Sequence, residues 1–283
     1  MMNRIERDGS TNKITIHPAE GKHSATIVIC HGLGDSADGW SDVAEMLCKQ
    51  MPYLKAVLPS AKTQPVTING GMPCPSWYDI TGLDAASSDN VEGIDESVAV
   101  IREIINNEIS LGVLPSRIIL AGFSQGGALS LFTGLQLPAE CKPCGIVVMS
   151  GYLCGPNKLK ITDGFEDIPI LHCHGTGDMV VRYDWATKTK EALEGKGIKS
   201  YDLRTYEGMP HTVNESVLDA VKSFLSEKIP FVAELAIKPK DPNDMSVKEL
   251  KAAIKNAGLA DKAVGFSEKQ EFISLLKSHY ESM

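Results

Sequence analysis

The feature that most constrains the fold is a repeated alternation of short, β-rich apolar runs with longer segments of helical spacing. Such runs occur at Ala25–Cys30, Leu54–Leu58, Ile118–Phe123, Gly145–Ser150, Ile168–Cys173 and Tyr201–Tyr206, with Ile14–His17 placed as an edge strand. Helices are expected between them at Trp40–Gln50, Val91–Ile109, Gly126–Leu137, Asp184–Leu193 and Val213–Lys228. In the second of these, Ile94, Val98, Ile101 and Ile105 recur every three or four residues and make one apolar stripe. Strands that are apolar at successive positions are those buried on both faces. The expected architecture is therefore α/β: a mostly parallel central sheet with helices on both sides.

The 283 residues suffice for one large domain and a small appendage. A break in composition marks the division. Ile237-Lys-Pro-Lys-Asp-Pro-Asn-Asp244 carries two prolines among charges and reads as a linker. This gives a body over 1–236, a linker over 237–245 and a helical module over 246–283. In the module, helices are expected near Val247–Asn256 and Ser267–Ser278, with Ser246 and Ser267 as N-caps and Gly258 ending the first. It is too short to bury much core alone.

A net charge of −8 argues against a general affinity for nucleic acid, whose phosphates recruit basic faces. The opening MMNRIERDGSTNKITIHP has no apolar stretch of signal-peptide length, and no run is long enough to span a bilayer. A cytoplasmic location is expected, and in that reducing compartment the seven cysteines read as free thiols.

The chemistry is carried by Gly122-Phe-Ser124-Gln-Gly126. It fits G-x-S-x-G, the nucleophile elbow of α/β-hydrolases, where a strand turns sharply into a helix with serine at the apex. The context matches, since a strand precedes it and a helical run follows. A nucleophilic serine needs a base. Of the seven histidines, His211 and His279 come late enough in the chain to follow an acid, and His279 lies in the tail. His211 stands in the loop after Tyr201–Tyr206, where open α/β sheets place their chemistry. Asp178 follows the Ile168–Cys173 strand in a glycine-rich loop and is the expected acid; Asp163, Asp167 and Asp184 read as exposed carboxylates. The order Ser, Asp, His is that of the fold. Backbone N–H groups of Leu33, in His31-Gly-Leu-Gly-Asp35, and of Gln125 are the expected oxyanion donors. No metal or organic cofactor is required.

These residues sit within longer stretches: His31-Gly-Leu-Gly-Asp35 with Gly39-Trp40, Pro75-Ser-Trp-Tyr-Asp-Ile80, Pro115 through Leu131, Cys173-His-Gly175 with Asp178, and Thr205-Tyr-Glu-Gly-Met209 with His211. Over about residues 13–230 the chain resembles the acyl-protein thioesterase group of the phospholipase/carboxylesterase family. The resemblance implies an α/β-hydrolase fold and hydrolysis of S-acyl cysteine thioesters on proteins, often with lysophospholipase or carboxylesterase activity. It assigns Ser124, Asp178 and His211 to the catalytic positions. It also sets Val66–Trp77 beside the acyl channel, with Met72 and Trp77 either lining that channel or packing as ordinary core and loop residues.

S-acylated proteins or lipid esters are the expected substrates, with transient contact at membrane surfaces and a monomeric or weakly homodimeric state. The chain departs from the family's usual pattern at Met179-Val-Val-Arg182 and in its tail, which resembles a SAP-like helix–extended–helix module. Lysines are nearly balanced by acids there, so protein contact or simple packing is expected rather than DNA binding. Cys141-Lys-Pro-Cys144 precedes a strand and lacks the helix N-terminus that a redox pair uses. A zinc site joining it to His172 and His174 is not expected, those two histidines being taken to point to opposite faces of their strand.

Overall fold

The structure, a computed structural model, describes residues 4–18, 22–82, 89–237, 240–257 and 259–281. Its centre is an eight-stranded sheet formed, in chain order, by β1 (Arg4–Arg7), β2 (Ile14–His17), β3 (Ala25–Cys30), β4 (Leu54–Leu58), β7 (Ile118–Phe123), β8 (Gly145–Met149), β9 (Ile170–Gly175) and β10 (Tyr201–Tyr206). Across the sheet the order is β1-β2-β4-β3-β7-β8-β9-β10. The two outer strands β1 and β2 run antiparallel and the rest are parallel. β5 (Thr63–Val66) and β6 (Met72–Pro75) form a separate hairpin.

Two apolar cores lie on the two faces, and alternate strand residues feed them. Ile118 and Leu120 enter one core, Ile119 and Ala121 the other, as the two-residue period of a strand requires. Helices α2 (Ile94–Ser110), α3 (Gln125–Gly134) and α4 (Tyr183–Gly195) cover the first face, while α1 (Ala37–Gln50) and α5 (Glu215–Lys228) cover the second. This is the three-layer α/β-hydrolase arrangement. The α2 stripe read from sequence, Ile94, Val98, Ile101 and Ile105, is buried in full.

Three differences from the sequence reading have physical causes. Ile14–His17 is not the edge strand, because Arg4–Arg7 pairs outside it with Arg4 opposite His17. Apart from Ile5 that outer strand is charged, and charge is how exposed sheet edges avoid further pairing, so no apolar run announced it. The β5–β6 hairpin was also not foreseen. Its strands are short, three of their residues are proline, and the reversal depends on Gly70 and Gly71 at φ of +68° and +80°. Finally, His172 and His174 share one face of β9, as residues two apart on a strand must; their rings are in contact, with centroids 5.3 Å apart.

The tail folds on its own small core. α6 (Val247–Asn256) and α7 (Lys269–Glu281) bury Met245, Leu250, Ile254, Phe272, Ile273 and Leu276 against one another. Ser246 caps α6 in a reciprocal capping box with Glu249. Ser267 is not the cap of α7; the Glu271 carboxylate instead accepts the Ser267 and Glu268 amides, and the helix begins at Lys269. Gly258 lies outside the described residues.

Burial, the largest cause in each case, pushes His17, His23, His31, His172 and His174 below the usual histidine range, His17 and His23 to about 4. In the unfolded chain these rings titrate near 6.5. Below that pH the unfolded state binds more protons than the native state, so stability is complete above about 6.5 and declines as pH falls. Calorimetry should show Tm lower at pH 5.0 than at pH 7.5 by roughly 5 °C or more. An unchanged Tm would contradict the buried neutral state of these rings.

Candidate active site

Ser124 sits at the end of β7, the strand on which the sheet is centred, and directly before α3. Its backbone lies at φ +53°, ψ −120°, a conformation that a non-glycine residue holds only when its surroundings enforce it. Enforcement comes from close backbone packing. A Cβ on Gly122 would fall 2.2 Å from the Gly126 carbonyl oxygen, and one on Gly126 would fall 2.2 Å from that of Cys30. The two glycines let strand, helix and the end of β3 approach to contact distance. The Ser124 amide donates to the Met149 carbonyl at 2.9 Å and holds the elbow on β8.

The loops after β9 and β10 converge on this serine. The base-side loop packs backbone to backbone on the acid-side loop: a Cβ on Gly175 would lie 2.0 Å from the Met209 carbonyl oxygen. Thr176 N–H donates to the Tyr206 carbonyl and Gly208 N–H to Thr176 Oγ1, at 2.9 and 2.8 Å. Asn214 then caps α5 through the Val217 amide and ends the base-side loop. The outcome is a continuous chain: His211 Nδ1 lies 2.7 Å from Asp178 Oδ2, and His211 Nε2 lies 3.0 Å from Ser124 Oγ. Asp178 has no side-chain exposure, and its Oδ1 accepts the Val180 and Val181 amides at 2.9 and 2.8 Å. Phe123 packs on the His211 ring with centroids 4.7 Å apart.

Asp163, Asp167 and Asp184, weighed as rival acids, take no part in this chain. His279 lies at the far end of α7.

Leu33 lies in the turn after β3, over the elbow. A Cβ on Gly32 would be 3.1 Å from the Phe123 ring and 3.5 Å from Ser124 Cβ. Gln125 opens α3, whose first intrahelical bond runs from Ala128 N–H to the Ser124 carbonyl. The amides of residues 125–127 have no acceptor within the helix, and the positive end of the helix dipole adds to their field. The amides that open α3 thus stand next to the serine in the chain, and the Gly32 backbone of the other turn lies against it.

A clamp between those turns escaped the sequence reading. The buried Gln125 side chain donates from Nε2 to the Tyr78 carbonyl (2.8 Å) and Ser76 Oγ (3.0 Å), and its Oε1 accepts the Trp77 amide (3.1 Å). The same 75–78 segment accepts Gly34 N–H at the Pro75 carbonyl (2.8 Å) and donates the Trp77 indole N–H to the His31 carbonyl (2.8 Å). One extended segment therefore ties the Leu33 turn to Gln125. Trp77 is 1% exposed and packs on His31, so it takes the packing role that its sequence left open; Met72, on the hairpin, is 67% exposed. A glutamine beside a nucleophile gives no sign of where its side chain points, and only the tertiary fold brings residues 49 positions apart together. Gln125→Leu should leave the circular dichroism unchanged and lower kcat about 10- to 100-fold through displaced donors. A wild-type kcat would show that the clamp is dispensable.

His31 completes the turn as a neutral ring. Its Nδ1–H donates to the Gly32 carbonyl at 2.7 Å, and its Nε2 accepts the Ala61 amide at 2.9 Å.

Comparison with known proteins places this geometry in context. The sequence profile of the phospholipase/carboxylesterase family matches residues 11–229. Acyl-protein thioesterase 1 of Neurospora crassa is 37% identical over 228 residues, spanning 77% of this chain and 92% of its own. Acyl-protein thioesterase 1 homolog 1 of Dictyostelium discoideum is 37% identical over 210 residues, spanning 74% and 92%. Among solved structures, acyl-protein thioesterase 2 of Zea mays superposes with a TM-score of 0.69 at 28% identity, covering 77% of this chain and 99% of that one.

Proposed function

Because this chain belongs to the phospholipase/carboxylesterase family of hydrolases, we propose that it cleaves acyl thioesters, with S-palmitoyl groups on proteins as substrates, through an acyl-serine intermediate. The observation that carries this reading is the unbroken hydrogen-bond chain from Ser124 through His211 to Asp178. An ionised Asp178 can only accept, so His211 Nδ1 carries its proton and Nε2 is left basic toward Ser124. Ser124 Oγ attacks the acyl carbon while His211 Nε2 takes its proton. The oxygen that gains the charge lies between the Leu33 and Gln125 amides. His211 then returns the proton to the departing sulfur, the carbon–sulfur bond breaks, and the acyl group remains on Ser124. Water attacks that ester with His211 again as base, which releases the fatty acid and restores the serine.

The exposed Met72, with Ile68 on the turn of the same hairpin, supports a role for this hairpin in guiding the acyl chain. Met179 and Val180, 86% and 51% exposed beside Asp178, support transient contact of the acid-side loop with a membrane surface. Co-sedimentation with neutral vesicles, lost on Met179→Asp, tests that contact. We assign residues 1–236 to the catalytic body and the SAP-like helices to a protein contact, supported by the tail's separate core. Deletion of 246–283 with turnover retained would support the division, and loss of folding would reject it.

Thiol release from an S-palmitoyl peptide, measured beside lysophospholipid and short carboxylester hydrolysis, tests the substrate assignment. Thioester turnover should dominate. Ester or lysophospholipid turnover without thioester turnover would keep the mechanism and replace the substrate.

A further inference from the structure

Two histidines that the mechanism does not use lie behind its acid. We propose that His174, backed by His172 and Tyr201, is a positioning residue that holds Asp178 in register with His211; the inference rests on the triad reading above. His174 Nε2 lies 2.7 Å from the Val181 carbonyl oxygen. A carbonyl only accepts, so Nε2 carries the proton and Nδ1 of the neutral ring is an acceptor. His172 Nε2, 3.2 Å from that Nδ1, is then the donor, and His172 Nδ1 accepts the Tyr201 hydroxyl at 2.7 Å. The hydrogen bonds run one way, from Tyr201 on β10 across β9 to the turn after Asp178. Both imidazoles are fully buried, and burial, the largest cause, favours their neutral forms.

The direction of this chain is what gives it a use. Val181 is gripped at both ends: its amide donates to Asp178 Oδ1 at 2.8 Å and its carbonyl accepts from His174. The His174 N–H also lies 3.5 Å from Asp178 Oδ2, the oxygen that His211 uses. The turn that orients one carboxylate oxygen and the field that faces the other thus share one donor. A pair of buried histidines is ordinarily just a satisfied polar patch. Here the chain ends on the groups that set the carboxylate's rotation, at 2.7 Å from the base.

The groups that face this pair are His211 and Asp178 from the two loops, Tyr183 on α4 with its ring 6.1 Å from His174, the Gly151 backbone beside His172, and Tyr201, which Glu194 influences.

The test is steady-state hydrolysis of an S-acyl peptide and a short nitrophenyl ester by His174→Leu, His174→Gln and Tyr201→Phe, each in the wild-type and Asp178→Asn backgrounds, with Ser124→Ala as reference. His174→Leu should lower kcat about 100-fold with KM within about two-fold. His174→Gln, which keeps a donor near Nε2, should recover most of that loss. Tyr201→Phe, which removes one hydroxyl far from the serine, should lower kcat about three- to ten-fold. In the Asp178→Asn background His174→Leu and Tyr201→Phe should each change kcat less than about two-fold, because the group they position is already lost. Wild-type kcat in folded His174→Leu, or equal losses in both backgrounds, would overturn the inference. If His174→Leu does not fold, Tyr201→Phe decides: wild-type kcat overturns the inference, and a loss confined to the Asp178 background upholds it. Activity retained by Ser124→Ala would instead mean that the triad reading has failed.

Discussion

Ser124→Ala should lower turnover by about three to six orders of magnitude while Tm stays within a few degrees. The hydroxyl is the atom that would become the acyl ester, and no neighbouring side chain can supply it. His211→Ala should cost as much, because without Nε2 the attacking oxygen has no proton acceptor at 3.0 Å. The double variant should be no worse than either single one. Residues that act as a unit lose the same step once, and what remains comes from the amides and from substrate binding. Near-additive losses would mean that serine and histidine serve separate steps. A fluorophosphonate probe should label the wild type stoichiometrically and Ser124→Ala not at all.

The largest effect on the fold should come from one methyl group at Gly126. A Cβ there meets the Cys30 and His31 carbonyl oxygens at 2.2 and 2.4 Å, both backbone atoms of the strand end that leads into the Leu33 turn. Neither can swing aside as a side chain would. The elbow must rise off β3, which loses packing under α3 and separates the two turns proposed to supply the oxyanion donors. Gly126→Ala should destabilise the protein by about 2–5 kcal/mol, a fall in Tm of roughly 5–15 °C, and should reduce activity even where the protein remains folded. Gly195→Ala is the contrast. It stands at the end of α4 with no atom within 4 Å of the added carbon, so alanine should leave Tm unchanged or raise it slightly. Equal behaviour of the two variants in a thermal melt would refute the packing argument.

Much of this was legible in the sequence because the determinants are local. A strand buried on both faces has to be apolar at every position, and a helix covering such a sheet has to repeat its apolar residues every three or four. β3 and β7, and β4 but for its Lys55, were therefore readable to the residue, and the α/β-hydrolase class with them. Ser124 was readable because a turn from strand to helix that tight tolerates only glycine two residues to either side. Asp178 and His211 were readable by their place after successive strands. The edge strand Arg4–Arg7 and the Thr63–Pro75 hairpin were not, since neither buries an apolar run and each is defined by what it pairs with.

Taken by itself, the sequence determined most of the sheet's strands and the helices that cover it, and which residue types stand at the strand ends; the order of the strands across the sheet came only from their pairing. Tertiary structure alone decided where side chains point once those ends converge. It turned Gln125 away from the elbow to grip residues 76–78, drew Trp77 inward against His31, and set His172 and His174 on the side of β9 that leads to Asp178. The physical reason is that strand and helix formation depend on neighbours a few residues away, whereas the contacts of Gln125 and Trp77 depend on partners whose positions along the chain bear no fixed relation to theirs; the strand period put the two histidines on one face, and the fold decided which face that was.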